Sequence, residues 1–378
     1  MGGRIVGIDV ARCLALLGMM ATHILPGVVD GEVPLAQQVA GGRASALFAV
    51  LAGVSLALVA GERGPLRGRA WRAMLAGTTV RSAVIGLVGL LLGGLDTGIA
   101  VILVYYAVLF VVAVPFMALS TRALAMVAGS WIVLAPASSF WLRDRLPLTS
   151  YEVPSFDSFV HPVALVRDLL LTGYYPVLTW VGFILVGLLV GRLDLSSKRT
   201  AGLLAVGGGA AAVVAWQLSD ALTSDSGVRA ALIRSFTGAG WQDDLATTLQ
   251  HGLYGVTPTD SGWWLAVRAP HTGTTFDLLM TSGSACLVLG VCLVVGRSAP
   301  RLCAVGFGAG AMTFSLYTLH VVLRTEGLWD GDTMATFLGQ AALVLVIGAA
   351  FRWRGHRGPL EFFTGELSSG ARRMAAGR

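Results

Sequence analysis

The stretch IDVARCLALLGMMATHIL, Ile8–Leu25, decides how the chain is read. It is apolar enough for a membrane span, yet it holds Asp9, Arg12 and His23. A charged side chain at mid-bilayer costs a few kcal/mol or more, so such residues face a bundle interior and mark a pathway or a site. On an α-helix Asp9 and Arg12 are i, i+3 neighbours, which makes an ion pair easy. Arg12 and His23 are eleven residues apart. Eleven steps of ~100° make three turns plus ~20°, which puts both on one face, ~16 Å apart along the axis. A polar stripe thus crosses most of the span. A structural Asp–Arg pair with an interfacial histidine would give the same letters; three polar groups on one stripe favour a site.

The rest of the chain has the same character. Of 378 residues, 55% are hydrophobic and 13% charged. Soluble domains carry about a quarter charged residues, which excludes a soluble fold. The expected class is all-α, a polytopic membrane helix bundle of about ten transmembrane helices. The candidate segments are 6–27, 43–60, 71–93, 98–119, 121–141, 170–191, 200–221, 276–296, 302–323 and 333–352. Pro136 interrupts the fifth, and the sixth begins around GYYP, Gly173–Pro176. The first carries charges and lacks a small-x-small cleavage site, so it reads as a retained helix rather than a signal peptide.

Loop charge sets the orientation. Arg63, Arg67, Arg69 and Arg72, then Arg122, then Arg192, Lys198 and Arg199, then Arg297 and Arg301, then Arg352–Arg357 all follow even-numbered segments. The loops after odd segments are acidic or mixed. The positive-inside rule then puts both termini in the cytoplasm, in a multi-pass cell-membrane protein. Residues 1–358 read as one transmembrane domain with outer loops 142–169 and 222–275, and 359–378 as a cytoplasmic tail with an amphipathic start at LEFF.

The net charge of +6 rests on arginine, with Lys198 the one lysine; with 49 glycines this bias points to a GC-rich bacterial genome. Because the basic excess falls in short loops, it argues for topology and against nucleic acid as a partner. Cys13, Cys286, Cys292 and Cys303 lie in or beside apolar segments without metal-ligand spacing, so they read as packing residues and no metal is expected. No Walker-type phosphate loop or G-x-S-x-G nucleophile elbow is present, and Gly207–Gly209 reads as helix-packing glycine.

Arg12, ten residues, then His23 resembles the Arg-x10-His signature of the acyltransferase family three membrane enzymes. The wider setting, RIVGIDVARCLALLGMM followed by GRASALFAVLAGVSLAL (Gly42–Leu58), is closer to a related branch. It resembles bacterial relatives of heparan-α-glucosaminide N-acetyltransferase and the neighbouring YeiB-like membrane proteins. Further matching segments are Ile102–Phe110, Leu169–Leu195, Ala269–Leu279, Ser315–Val322 and Gly358–Phe363. One departure stands out: where the family has an acid shortly before its second span, this chain has GGRASALF.

The resemblance implies acyl transfer from a cytoplasmic acyl-CoA, acetyl-CoA above all, to a glycan or lipid-linked cell-envelope acceptor on the outer face. Arg69, Arg72 and Arg81, with Arg12 deeper, are the expected contacts for CoA phosphates, which guanidinium forks bind bidentately. Tyr105 and Tyr106 are candidates to line a donor channel. His23 is the expected general base or acyl carrier. Asp9 would hold Arg12, and Asp30 or Glu32 would orient His23. Arg43 would stabilise the thioester oxyanion or an acidic acceptor. His320 in YTLHVV is a second catalytic candidate; His161 and His271 read as loop histidines bonded to backbone. Two other readings stay open at this stage: a transporter or flippase using a proton relay, and a non-catalytic envelope membrane protein. The sequence also leaves open whether the chain forms a homodimer.

Overall fold

In lipid every backbone N–H and C=O must be satisfied within the protein, and long Leu/Ala/Val/Gly runs without alternation do this as helices. The computed structural model describes residues 4–61, 64–147, 152–237 and 244–377, and the described residues are helical apart from turns and an isolated Val29–Glu32 bridge. The chain opens with α1 (Val6–Ile24), α2 (Leu35–Ala40), α3 (Arg43–Ala60) and α4 (Gly68–Gly93). It continues through α5 (Leu103–Ala113), α6 (Thr121–Arg143), α7 (Pro162–Arg167) and α8 (Val177–Gly191). Then come α9 (Lys198–Thr223), α10 (Ser226–Thr237), α11 (Leu245–His251) and α12 (Thr275–Ser298). The last four are α13 (Pro300–Gly306), α14 (Thr313–Leu323), α15 (Met334–Trp353) and α16 (Pro359–Ala375).

Among the described residues, seven helices are long and apolar enough to cross a membrane: α1, α2 with α3, α4, α6, α9, α12 and α15. The pair Pro162–Thr172 and Val177–Gly191, bent by 49°, would make an eighth. The remaining two of the ten expected segments are shorter apolar helices, Leu103–Ala118 and Thr313–Leu323. The difference has local causes. The fourth segment turns into a tight 3-10 helix at Pro115. The sixth bends at Gly173–Pro176. The ninth breaks at the turn Gly308–Ala311, between α13 and α14. Pro136, by contrast, lies inside an unbroken α6.

Helix α1 is the hub, packed against α3, α12, α14, α15 and the Gly308–Ala311 turn. Small residues let backbones approach where helices cross most closely. A side chain on Gly53 or Gly187 would enter the facing backbone at the α3–α8 crossing, and Gly208 meets Gly283 between α9 and α12. Leu87 and Leu91 on α4, Val133 and Leu134 on α6, and Leu203 and Val206 on α9 face outward. That belt suits hydrocarbon rather than water. The four cysteines are free thiols, Cys13, Cys292 and Cys303 of them buried.

Two segments outside the apolar spans carry helical structure of their own. The described residues of the long loop 222–275 (222–237 and 244–275) include a small helical cap with its own core of Val228, Leu232, Phe236, Leu253, Trp264 and Val267. The segment read as a tail is α16, which packs along α4, with Ser368 Oγ donating to Gly77 O at 2.8 Å. Its Glu361 accepts from the Phe314 and Ser315 N–H groups at 2.7 and 3.2 Å and from Ser315 Oγ at 2.5 Å. Those N–H groups open α14 and have no intrahelical acceptor, so the carboxylate caps that helix.

Candidate active site

His23 lies in the last turn of α1, where carbonyls run out of intrahelical donors. Gln37 of α2 supplies two, its Nε2 donating to Thr22 O and Leu25 O at 3.2 Å each. This ties α2 over the helix end and leaves His23 on the wall of a cavity of about 220 Å³. Thr22, Ser45, Tyr174, Tyr175, His251 and His271 contribute to the same wall. The α2–α3 corner that closes it needs φ of 67° at Gly42, a conformation costly for any residue with a Cβ. Among the described residues, no Asp, Glu, Lys or Arg lines this cavity.

Behind His23 stands a buried polar chain. His23 Nδ1 and His320 Nε2 are 3.2 Å apart, and the two rings lie in nearly parallel planes, 6° apart. His320 Nδ1 is 2.8 Å from Gln340 Oε1, and Gln340 Nε2 donates to Trp329 O at 2.8 Å. His320 is fully buried and does not reach the cavity. Among the described residues, its hydrogen-bond link towards the cavity is through His23.

His271 sits at φ 57°, its carbonyl accepting from Gly255 N at 2.9 Å. Its ring packs edge-on to Tyr175 at 5.7 Å and parallel to Trp180 at 6.4 Å. Desolvation there, with His251 nearby, pushes its pKa down to about 4. A folded-state pKa below the unfolded value means that protons favour the unfolded chain, so stability is lost as pH falls from about 6.5 towards 4. His271→Asn, which tolerates the left-handed backbone, should remove roughly 2 kcal/mol of the stability difference between pH 7 and pH 5. Thermal unfolding of both proteins in the same detergent at the two pH values checks this. An equal drop in both would remove His271 as the source.

A second cavity of about 290 Å³ lies towards the arginine-rich end. Arg12, Ser55, Arg81, Phe110 and Glu361 line it, together with Phe48. Arg12 Nη2 donates to Ser55 Oγ at 2.6 Å. The Arg81 guanidinium rests over the Phe110 ring at 5.6 Å. It donates no hydrogen bond to any described residue, and its Nε is buried without a partner. Since Glu361 already accepts from the start of α14, the free donors here suit an anion. The two cavities sit end to end along α3. Ser45 lines the first and Phe48 the second, about 5 Å apart at the rise of a helix. The buried Tyr106 lines neither cavity, but its ring packs against Phe48 at 5.8 Å and its hydroxyl donates to Ser45 O at 3.4 Å, so it touches one lining residue of each.

Several expected residues take other places. Asp9 is held mainly by Arg4, through Nε at 2.5 Å and Nη2 at 3.1 Å, with Arg12 at a longer 3.4 Å. The i, i+3 pair forms, but Arg12 turns its other end to Ser55. Arg69 and Arg72 are exposed in the first turns of α4, outside the cavity lining, and Arg63 lies outside the described residues. Tyr105 is buried against Tyr175 and lines neither cavity. Arg43 donates to Gln38 O and also stays outside the first cavity, its charge acting on Asp277. Asp30 and Glu32 are exposed in the turn after α1, and His161 is exposed before α7. The nitrogen beside His23 belongs to His320, not to an acid.

Sequence reasoning missed Arg4, His251, Gln340 and Glu361. Gln340 left one usable signal, a single amide inside an otherwise apolar span. Glu361 left another, an acid in the matched segment GPLEFF.

The fold and this pair of cavities define an integral-membrane helical protein with a buried polar centre. Residues 4–218 match the family model described as heparan-alpha-glucosaminide N-acetyltransferase, catalytic. The match spans more than half of the chain, which belongs to that family. No curated protein matches it. Arg12, His23, Ser45, Phe48 and Arg81 fall inside the matched range, whereas His320, Gln340 and Glu361 lie beyond it.

Proposed function

We propose that this protein moves an acyl group, acetyl above all, from cytoplasmic acyl-CoA to a glycan or other cell-envelope acceptor on the outer face. In this reading its ten apolar segments keep both termini in the cytoplasm. The observation that carries it is the pair of cavities stacked along α3. One offers free guanidinium donors; the other is uncharged and bears an imidazole whose Nε2 bonds to no described residue. CoA is a polyphosphate on a narrow, uncharged pantetheine arm. Arg12 and Arg81 suit its phosphates, and the arm would pass Phe48 and Tyr106 to bring the thioester to His23. Tyr174 and Tyr175 suit the flat apolar face of a sugar ring, and the uncharged wall favours a neutral acceptor over an acidic one.

The chemistry needs one base. His23 Nε2 takes the proton from the acceptor hydroxyl or amine as that atom attacks the thioester carbonyl. The new C–O or C–N bond forms, the C–S bond breaks, and the same proton passes to the departing CoA sulfur. The deciding experiment is titration of acetyl-CoA into the purified protein in nanodiscs, following binding and CoA release with and without simple sugars as acceptors. Saturable binding with CoA release supports the reading. Absence of binding, to acetyl or longer acyl-CoA, overturns it in favour of transport or a structural role.

A further inference from the structure

We infer that Gln340 and His320 act as positioning residues that hold His23 as its Nδ1–H tautomer, leaving Nε2 a bare base towards the first cavity. The chain of hydrogen bonds starts from a group with no choice of role. The Trp329 carbonyl can only accept, so the Gln340 atom 2.8 Å from it is the amide nitrogen. Turning the amide over would set two oxygens against each other. Gln340 therefore offers Oε1 to His320 Nδ1 at 2.8 Å, and an oxygen there requires a hydrogen on Nδ1. A neutral His320 then has a bare Nε2. The nitrogen 3.2 Å away, His23 Nδ1, must be the donor.

Ring geometry agrees. Centroids 5.4 Å apart with planes 6° apart are what two imidazoles need to share one in-line N–H···N bond. The remaining nitrogen of His23, Nε2, makes no hydrogen bond to any described residue. The chain Trp329–Gln340–His320–His23 thus carries one directional instruction from the Trp329 carbonyl to the cavity wall. It does what an acid does in many histidine bases, without a carboxylate. That absence has a consequence. With no fixed negative charge behind it, the imidazolium formed during transfer is shared between the two rings, as the Nδ1 proton moves towards His320 Nε2. The Nε2 proton then passes to the leaving sulfur and the Nδ1 proton returns to His23, so protons balance over the cycle. Tyr317, edge-on to His23 at 6.4 Å, Arg324 and His271 are the other titratable or charged groups around the pair. Arg324 is committed to Asp332 at 2.6 Å and to loop carbonyls.

This rests on His23 being the base of the proposed transfer, but its test does not. The full chain in nanodiscs, labelled with ring-¹⁵N histidine, is examined by ¹⁵N NMR, with His23→Asn and His320→Asn assigning the two rings. Protonated and bare ring nitrogens resonate far apart. The wild type should show Nδ1–H and bare Nε2 on both rings, with a cross-hydrogen-bond correlation between them. Gln340→Met, which keeps volume and removes the acceptor, should give mixed tautomers at both histidines. It should also lower CoA release from acetyl-CoA by about 10- to 100-fold with acetyl-CoA binding unchanged. Gln340→Glu keeps an acceptor towards His320 and, as the neutral acid that its full burial favours, a donor towards the Trp329 carbonyl, so it should restore the single tautomer; it decides the matter with the wild type if Gln340→Met does not fold. An Nε2–H or mixed His23 in the wild type, or an unmoved tautomer in Gln340→Met, overturns the inference. A single tautomer with no CoA release from wild type would overturn the acyltransferase reading alone.

Discussion

His23→Ala should lower acetyl-CoA-dependent transfer by about 10²- to 10⁴-fold, the range that a positioned general base supplies. The side chain removed is the one group of the buried chain that reaches the cavity. His320 lies one ring further back, fully buried and outside the cavity lining, so it is a poor replacement for a base at the wall. Gln340 and Trp329 keep their hydrogen bonds in the variant, and the one group of the chain that loses its partner is the bare His320 Nε2, an acceptor facing the new space. Acetyl-CoA affinity should therefore stay close to wild type, since the donor phosphates are assigned to the other cavity. Rates of CoA release and transfer, measured beside binding, separate the two effects. Retained transfer in a folded His23→Ala protein would remove His23 from the chemistry.

Arg12→Ala should weaken acetyl-CoA binding by about 10- to 100-fold, since charge-assisted hydrogen bonds contribute about 1.5–3 kcal/mol. The variant is informative because it should fold. Asp9, buried in the bundle, keeps Arg4 at 2.5 Å, so its carboxylate is not left bare. Ser55 Oγ has a backbone acceptor of its own in Leu51 O, at 2.5 Å. Arg12→Lys should fall between the two, since an ammonium gives charge without the fork. Unchanged acetyl-CoA affinity in a folded Arg12→Ala protein would refute the donor role. A matching loss in Arg81→Ala would tie the phosphates to the pair of arginines that line one cavity.

The stripe on α1 was legible because helical spacing is a local property: Arg12 and His23 could be placed on one face from the letters alone. What each side chain meets was not. Asp9 sits three residues from Arg12 and five from Arg4, and only the course of the chain before α1 decides that Arg4 takes the carboxylate. His23 and Gln340 are joined through one imidazole although more than three hundred residues separate them. No spacing rule reaches that far. The arginines of the α4 start show that charge and position along a segment do not say which side chain enters a cavity. Arg69 and Arg72 have the right charge at the right end, yet they remain exposed, while Arg81, two to three turns deeper, lines the cavity.

Composition and hydropathy by themselves determined the class: an all-helical membrane protein whose apolar segments begin and end about where the helices do. Motif and flank carried the family, which the match over residues 4–218 shows. Tertiary structure decided everything that depends on one helix facing another. It shortened two expected spans at Pro115 and at the Gly308–Ala311 turn, folded the supposed tail against α4, and brought His251 and His271 from a distant loop to the wall beside His23. The physical reason is the range of the interactions. Backbone hydrogen bonding and side-chain periodicity act within a few residues, so a sequence displays them directly. Packing between small-residue helix faces and the pairing of buried polar groups are settled only when the whole bundle closes.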